Sequence, residues 1–256
     1  MRIVVKIGTS TLAHATGHLN IRRVEELCKV ISDIKNAGHE IILVSSGAIG
    51  MGVGKLGLQS RPVDIPTKQA AAAVGQCELM YTYDKLFSQY NHTVAQLLIT
   101  GDDIANDERH SNFSNTINRL LSLGAIPVIN ENDTVATHEI VIGDNDTLAA
   151  IVAESVKANK LILLTDIDGL YTADPHTDPN AQLIAIAHSV NDDLLALAGN
   201  SASKLGTGGM LTKLEAAKIC LSCGCDMVIA NGSTPENLYE ILDGKLVGTT
   251  FTEKPL

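Results

Sequence analysis

Short runs of β-branched and aliphatic residues recur along the chain, at 2–7, 39–45, 93–99, 125–130, 160–165 and 226–230. They are apolar almost throughout, with little polar alternation, which predicts strands covered on both faces. Between them the apolar positions fall at helical spacing, near 21–37, 66–90, 103–123, 145–157 and 209–223. Asn20 and Asp102 stand where N-caps are expected, while Gly38, Gly124 and Gly224 stand where a helix ends in a left-handed residue. Strand and helix alternate nearly from end to end, so the expected fold class is α/β, a mostly parallel sheet between helical layers. The longest irregular stretch, 166–188, is rich in Asp, Pro and Thr and predicts a short hairpin or lid. With no low-complexity linker and no internal repeat, 1–256 reads as one domain with two lobes.

Composition narrows the classes. A chain of 256 residues can bury a sizeable core, and scarce aromatics with abundant Ala, Leu and Ile favour helix-covered sheets. A net charge of −10 argues against a general nucleic-acid or anionic-membrane binder, whose surfaces need a basic excess. No cationic leader precedes the first strand, and no apolar run nears the roughly 18 residues of a membrane span. A soluble, cytosolic protein is expected. The cysteines are Cys28, Cys77, Cys220, Cys223 and Cys225. The cluster at 220–225 lacks a second pair or a nearby histidine, so reduced core thiols are expected rather than a metal or redox centre.

The chemistry gathers beyond the strand ends, where an open α/β sheet binds its ligands. Lys6-Ile7-Gly8-Thr9-Ser10 follows the first run, and Ser45-Ser46-Gly47-Ala48 follows the second. Asn130-Glu131-Asn132-Asp133 follows the fourth and leads to Gly143-Asp144-Asn145-Asp146; Thr165-Asp166 follows the fifth. A further stretch, Leu205-Gly206-Thr207-Gly208-Gly209-Met210-Leu211-Thr212-Lys213, is a glycine-dense loop opening into a helix. Such a loop lets backbone N–H groups approach a phosphate, and the helix N-terminus adds a positive dipole.

Each piece has a plainer reading. Lys6 suits a strand-end charge reaching solvent, Ser46 an N-cap, and Asp144 and Asp146 first-turn acids. Together, five polar segments on one sheet edge, two of them with lysines, match what a triphosphate held for transfer requires. They point to a small-molecule kinase. The P-loop pattern is absent. Gly52-Val53-Gly54-Lys55-Leu56-Gly57 matches a dinucleotide pattern but falls inside a predicted helix starting at Ser46, which argues against that use.

The segments 4–10, 45–49, 129–133, 143–146 and 206–210, with Leu164-Thr165-Asp166 and Gly169–Pro175, closely resemble the glutamate 5-kinases of the amino-acid kinase superfamily. They occur in the family's order and span residues 2–232. The resemblance implies a three-layer αβα sandwich, with an N-terminal lobe binding glutamate and a C-terminal lobe binding ATP. It implies phosphoryl transfer from ATP, with Mg²⁺, to the side-chain carboxylate of L-glutamate, the first step of proline synthesis. By matching motif, Lys6 and Lys213 correspond to phosphate clamps and Asp146 to the acid that positions them. Thr165, Asp166, Thr207, Gly208, Gly209, Met210, Leu211, Thr212 and Lys213 correspond to the nucleotide site together with Lys6. Ser46, Asp133 and Asn145 correspond to the glutamate site, with Asp133 receiving the ammonium and Ser46 and Asn145 holding carboxylates. No protein-held metal is implied.

The chemistry suits that implication. A glutamate side chain has a pKa of about 4.3, so the nucleophile is already ionised at neutral pH and needs no general base. The obstacle is an anion approaching a polyanion, which lysines and N–H groups relieve. Two departures stand out. Leu211 occupies a position where a small hydroxyl residue is expected, and the sequence is expected to be a short form lacking the PUA module of many bacterial members. The resemblance further implies a homo-oligomer, dimer or tetramer, with proline as feedback inhibitor. The rival readings are a kinase of the same superfamily acting on acetylglutamate, carbamate, aspartate or a nucleoside monophosphate, and a non-catalytic ATP- and amino-acid-binding regulator.

Overall fold

The computed structural model describes the chain except residues 15, 17, 137–144, 174, 176, 200–208 and 255–256. In chain order the first elements are β1 (Arg2–Ile7), α1 (Thr9–Leu12), α2 (Ile21–Asn36), β2 (Glu40–Ser45), α3 (Ala48–Lys55) and α4 (Ile65–Ser88). Next come β3 (Val94–Ile99), α5 (Gly101–Ala105), α6 (Asp107–Ser122), β4 (Ile126–Glu131), α7 (Asn145–Ser155) and β5 (Lys160–Thr165). The last are β6 (Ile186–Ala187), α8 (Asp192–Gly199), α9 (Met210–Ser222), β7 (Asp226–Asn231), α10 (Asn237–Leu242) and β8 (Thr249–Phe251).

All six apolar runs are strands of one sheet, ordered β3-β4-β2-β1-β5-β7-β8-β6. Every pairing is parallel except β7 with β8. Because strand side chains alternate between faces, each run feeds two cores. Ile3, Val5, Ile41, Leu43 and Ile162 pack under α2 and α4, while Val4, Ile42, Val44, Leu161 and Leu163 pack with α6, α7 and α9. The result is the expected three-layer arrangement. It also decides where Lys6 goes: two residues from Val4, it shares that face and meets α7 and α9.

Local signals explain most boundaries. Asn20 caps α2 by accepting from Arg23 N–H, and Gly38, Gly124 and Gly224 adopt φ of +93°, +79° and +72° at helix ends. The expected helix 103–123 is two helices. Thr100, not Asp102, caps α5 in a reciprocal capping box with Asp103, and Asn106 caps α6. Nor does Ser46 begin a helix; Gly47, at φ +100°, is the cap of α3. The short strands β6 and β8 carry too few residues for a periodic signal. Within 166–188 the expected hairpin is present, with Tyr171 bridged to Leu183.

The 52–57 pattern lies within and just after α3 rather than between strand and helix, and its first glycine, Gly52, serves packing. A Cβ on Gly52 would lie 1.8 Å from the carbonyl oxygen of Ala71, and one on Gly75 would lie 1.7 Å from that of Ala48. Helices α3 and α4 therefore touch backbone to backbone, a close approach only glycine permits.

Candidate active site

Strands β1, β2, β4, β5 and β7 run parallel, so their carboxyl ends share one edge. From β1 the chain first fills the sheet on the β2 side, and later on the β5 side. The crevice above β1 and β5 is thus the topological switch point, the usual ligand site in such sheets.

Lys6 rises there from β1. Its Nζ lies 2.6 Å from Oδ1 of Asp146, in the first turn of α7, and Nζ of Lys213 in α9 lies 3.0 Å from Oδ2. The Thr212 hydroxyl, which donates to the Gly209 carbonyl at 2.8 Å, also lies 3.3 Å from the same oxygen. All three charged side chains are buried, with exposures of 7%, 0% and 5% for Lys6, Asp146 and Lys213. Burial pushes the Asp146 carboxyl up, but the two adjacent ammonium groups outweigh it and hold the group below the ordinary carboxylate range. One carboxylate thus fixes two buried cations at the crevice. The plainer readings of Lys6 as a solvated strand end and of Asp146 as a mere first-turn acid do not fit this geometry.

A second constellation lies on the β2–β4 side. Asn145 Nδ2 donates to Ser46 Oγ at 2.8 Å and to Asn130 Oδ1 at 3.2 Å. Asn130 Nδ2 in turn donates to Gln76 Oε1, from α4, at 2.8 Å. Ser46 therefore makes no cap; its hydroxyl oxygen accepts from Asn145, leaving its hydrogen for a ligand. Both amide hydrogens of Asn145 are spent, and its buried Oδ1 has no hydrogen-bond partner among the described residues. The free end of Asn145 is thus an acceptor, suited to an ammonium rather than to the carboxylate expected from sequence. Asp133 is half-buried. Burial raises its pKa, and the charge of Arg61 draws it partly back.

Towards β7, Thr165 and Asp166 line a cavity of about 220 Å³ together with Ser10, Thr11, Arg23, Asn231 and Ser233. Thr165 donates to Asp166 Oδ1 at 3.0 Å. Gly209 caps α9, Met210 opens it, and Leu211 is exposed. Thr207 and Gly208 lie outside the described residues, as do Gly143, Asp144, Asp174 and Gly206. Among the described residues no group of three His, Cys, Asp or Glu side chains is disposed to hold a metal ion. The cysteines are free thiols; Cys28, Cys220 and Cys225 are buried in the core, whereas Cys77 and, against the expectation for the 220–225 cluster, Cys223 just past the end of α9 are exposed.

Sequence reasoning did not single out Gln76, Arg61, Arg23, Asn231 or Ser233. Gln76 had a signal: it lies on the buried stripe of α4 formed by Ala72, Gly75, Leu79 and Tyr83. A polar residue on such a stripe needs a partner.

The sequence model of the Amino acid kinase family matches residues 1–231. A glutamate 5-kinase of Caldanaerobacter subterraneus subsp. tengcongensis is 53% identical over 251 residues, covering 98% of this chain and 68% of that protein. A glutamate 5-kinase of Clostridium perfringens is 50% identical over 257 residues, covering 99% and 96%. The fold is similar to T. acidophilum isopentenyl phosphate kinase, at TM-score 0.69 and 20% identity over 98% of this chain and 100% of that one. It is also similar to UMP kinase from Bacillus anthracis, at TM-score 0.67 and 16% identity over 99% and 96%.

Proposed function

The chain belongs to the amino acid kinase family, and on that premise we infer that it phosphorylates the side-chain carboxylate of L-glutamate. ATP, presented with Mg²⁺, is the phosphoryl donor, and the product is L-glutamyl 5-phosphate, the opening step of proline biosynthesis. Half of all positions are identical to glutamate 5-kinases over nearly the whole chain. The observation that carries the site assignment is the single buried carboxylate of Asp146 holding Lys6 and Lys213 together.

A carboxylate oxygen of the substrate attacks the γ-phosphorus, and the bond from that phosphorus to the β,γ-bridging oxygen breaks. ADP leaves with the bond's electrons, and no proton need move because the nucleophile is ionised. The barrier is charge crowding on the transferring group and the leaving phosphate. In this reading Lys6 and Lys213 spread that charge, and Asp146 keeps both cations in place while preventing their mutual repulsion. The Gly209–Lys213 segment and the preceding Thr207 and Gly208 hold phosphates at the start of α9. Thr165 and Asp166, in the cavity shared with Asn231 and Ser233, hold the rest of the nucleotide.

The acceptor lies on the β2–β4 side. Asp133 and Asn145 Oδ1 take its ammonium, and the Ser46 hydroxyl donates to a carboxylate. The N-terminal lobe thus carries glutamate and the C-terminal lobe ATP. The same reading includes a homo-oligomer, and proline competing with glutamate for one pocket; inhibition that excess glutamate cannot relieve counts against a shared pocket. It also includes a cytoplasmic location, in keeping with five free thiols; no helix among the described residues is long and apolar enough to cross a membrane.

Hydroxylamine trapping tests the assignment, with ATP, Mg²⁺ and L-glutamate, acetylglutamate or aspartate as acceptor. Hydroxamate formed with glutamate, and lost in Lys213→Ala, is the expected result. Product with acetylglutamate or aspartate instead overturns the acceptor assignment; ATP binding with no product from any of these acceptors points to a regulator or to a nucleotide acceptor.

A further inference from the structure

Resting on the acceptor site proposed above, the structure assigns a further residue to it: we propose that Gln76 fixes the direction of the amide chain and donates its spare N–H to a substrate carboxylate. The direction of that chain follows from one backbone group. The N–H of Glu131 can only donate, and it lies 2.9 Å from Asn130, so the atom it meets is Oδ1. That oxygen also accepts from Asn145, which leaves Asn130 Nδ2 as the donor towards Gln76. Gln76 must therefore accept with Oε1, and its Nε2 is turned out of the chain.

Nε2 is buried and has no hydrogen-bond partner among the described residues, on a side chain only 8% exposed. At the opposite end, Asn145 Oδ1 is a buried acceptor in the same condition. The run of three amides, Gln76–Asn130–Asn145, thus ends in one unspent donor and one unspent acceptor. A buried N–H left unpaired carries an uncompensated desolvation cost, which an incoming anion removes. An α-amino acid offers the complementary pair, a carboxylate for the donor and an ammonium for the acceptor. The backbone supports the placement. Gly75 lets α4, which carries Gln76 as its next residue, press against the carbonyl of Ala48, two residues past Ser46.

Two substitutions separate donation from packing. Gln76→Glu keeps an oxygen to accept from Asn130 but replaces the spare donor with an acceptor. Gln76→Leu removes both. Steady-state kinetics of hydroxamate formation should show the KM for glutamate raised about tenfold or more in Gln76→Glu, the loss of roughly one hydrogen bond to a charged group. The KM for ATP should stay within about twofold, and kcat should change less than the KM for glutamate. Lowering the pH should reduce the Gln76→Glu defect, because the protonated acid regains a donor, while the Gln76→Leu defect should be flat. Ser46→Ala and Asn145→Ala serve as references. If they raise the KM for glutamate and Gln76→Glu does not, Gln76 is only a packing residue and the proposal fails alone. Should all three leave that KM unchanged, the acceptor site itself is misassigned and the proposal falls with it. A parallel rise in both KM values, or a pH-independent defect in Gln76→Glu, marks a general structural effect and overturns the donor role.

Discussion

Lys6 Nζ sits 2.6 Å from Oδ1 of Asp146, joining a central strand to the first turn of the helix packed across it. Lys213 occupies the carboxylate's other oxygen at 3.0 Å. One negative charge therefore stabilises two buried positive ones. Removing it in Asp146→Ala takes away the shared counter-charge and leaves two buried ammonium groups to repel each other. Breaking a buried pair in this way costs about 3–5 kcal/mol, and urea denaturation should show a loss of that order. Activity should fall at least about 100-fold, since both lysines lose their position. A variant with wild-type stability and turnover would show that the triad does not organise the site.

Lys6→Ala and Lys213→Ala separate binding from transfer. The lysines serve charge that develops on the transferring group, so their loss should lower kcat about 100-fold or more and leave the KM for glutamate nearly unchanged. A raised KM for ATP with unchanged kcat would instead describe lysines that merely bind the nucleotide.

The same triad sets an acid limit. Against the upward push of burial, Lys6 and Lys213 hold the folded-state pKa of Asp146 below its ordinary value. A carboxyl depressed in this sense contributes stability that is full above its unfolded pKa, about 3.9, and is lost as pH falls through its folded pKa. Stability measured from pH 7 down to pH 2 should therefore fall more steeply in the wild type than in Asp146→Asn. Parallel curves would mean that Asp146 does not carry this dependence.

Much of this was legible in the sequence, and the exceptions share a cause. Residues 6, 46, 133, 146, 165 and 213 each stand just past an apolar run or in a helix's first turns, so strand and helix patterns alone bring them to one sheet edge. Gln76 stands in the middle of a long helix, where no turn or motif advertises it, and only its place on the buried stripe of α4 gives it away. Its partner Asn130 lies 54 residues away, a pairing set by tertiary contact. The split of 103–123 into α5 and α6 was missed for a related reason. Asn106 reads as an ordinary polar helix residue until its side chain is seen capping Arg109 N–H. The direction of Asn145 was also hidden, because which end of an amide is free depends on neighbours that only the fold supplies.

Asp133 should show a conflict between stability and function. Its half-buried carboxyl has a raised pKa because burial disfavours the charge, with Arg61 only partly compensating. For a carboxyl raised in the folded state the unfolded chain ionises more readily, so the charged form at neutral pH works against folding. Asp133→Asn should therefore melt at a higher temperature than the wild type at pH 7, with the difference shrinking as pH falls through the raised folded-state pKa. Glutamate should bind far more weakly to it, because the substrate ammonium loses its counter-charge. A destabilised Asp133→Asn would indicate that Arg61 already pays the desolvation cost in the free protein.

Gly75→Ala tests whether helix packing and substrate recognition are one device. The added methyl would lie 1.7 Å from the Ala48 carbonyl oxygen and 2.5 Å from Gly52 N, both backbone atoms with no rotamer to escape into. Helix α4 must therefore move off α3, with an overpacking cost of typically about 1–3 kcal/mol. That movement carries Gln76 away from Asn130 and shifts the turn that bears Ser46, while the lysine triad on the other face of the sheet is untouched. The expected signature is lower stability with a raised KM for glutamate and little change in the KM for ATP. The exposed turn at Gly57, where a Cβ meets nothing within 4 Å, provides the control. Gly57→Ala, strained only by its φ of +65°, should lose a similar or smaller amount of stability with no change in either KM. Equal effects of Gly75→Ala on both substrates would show that α4 supports the whole fold rather than the acceptor pocket.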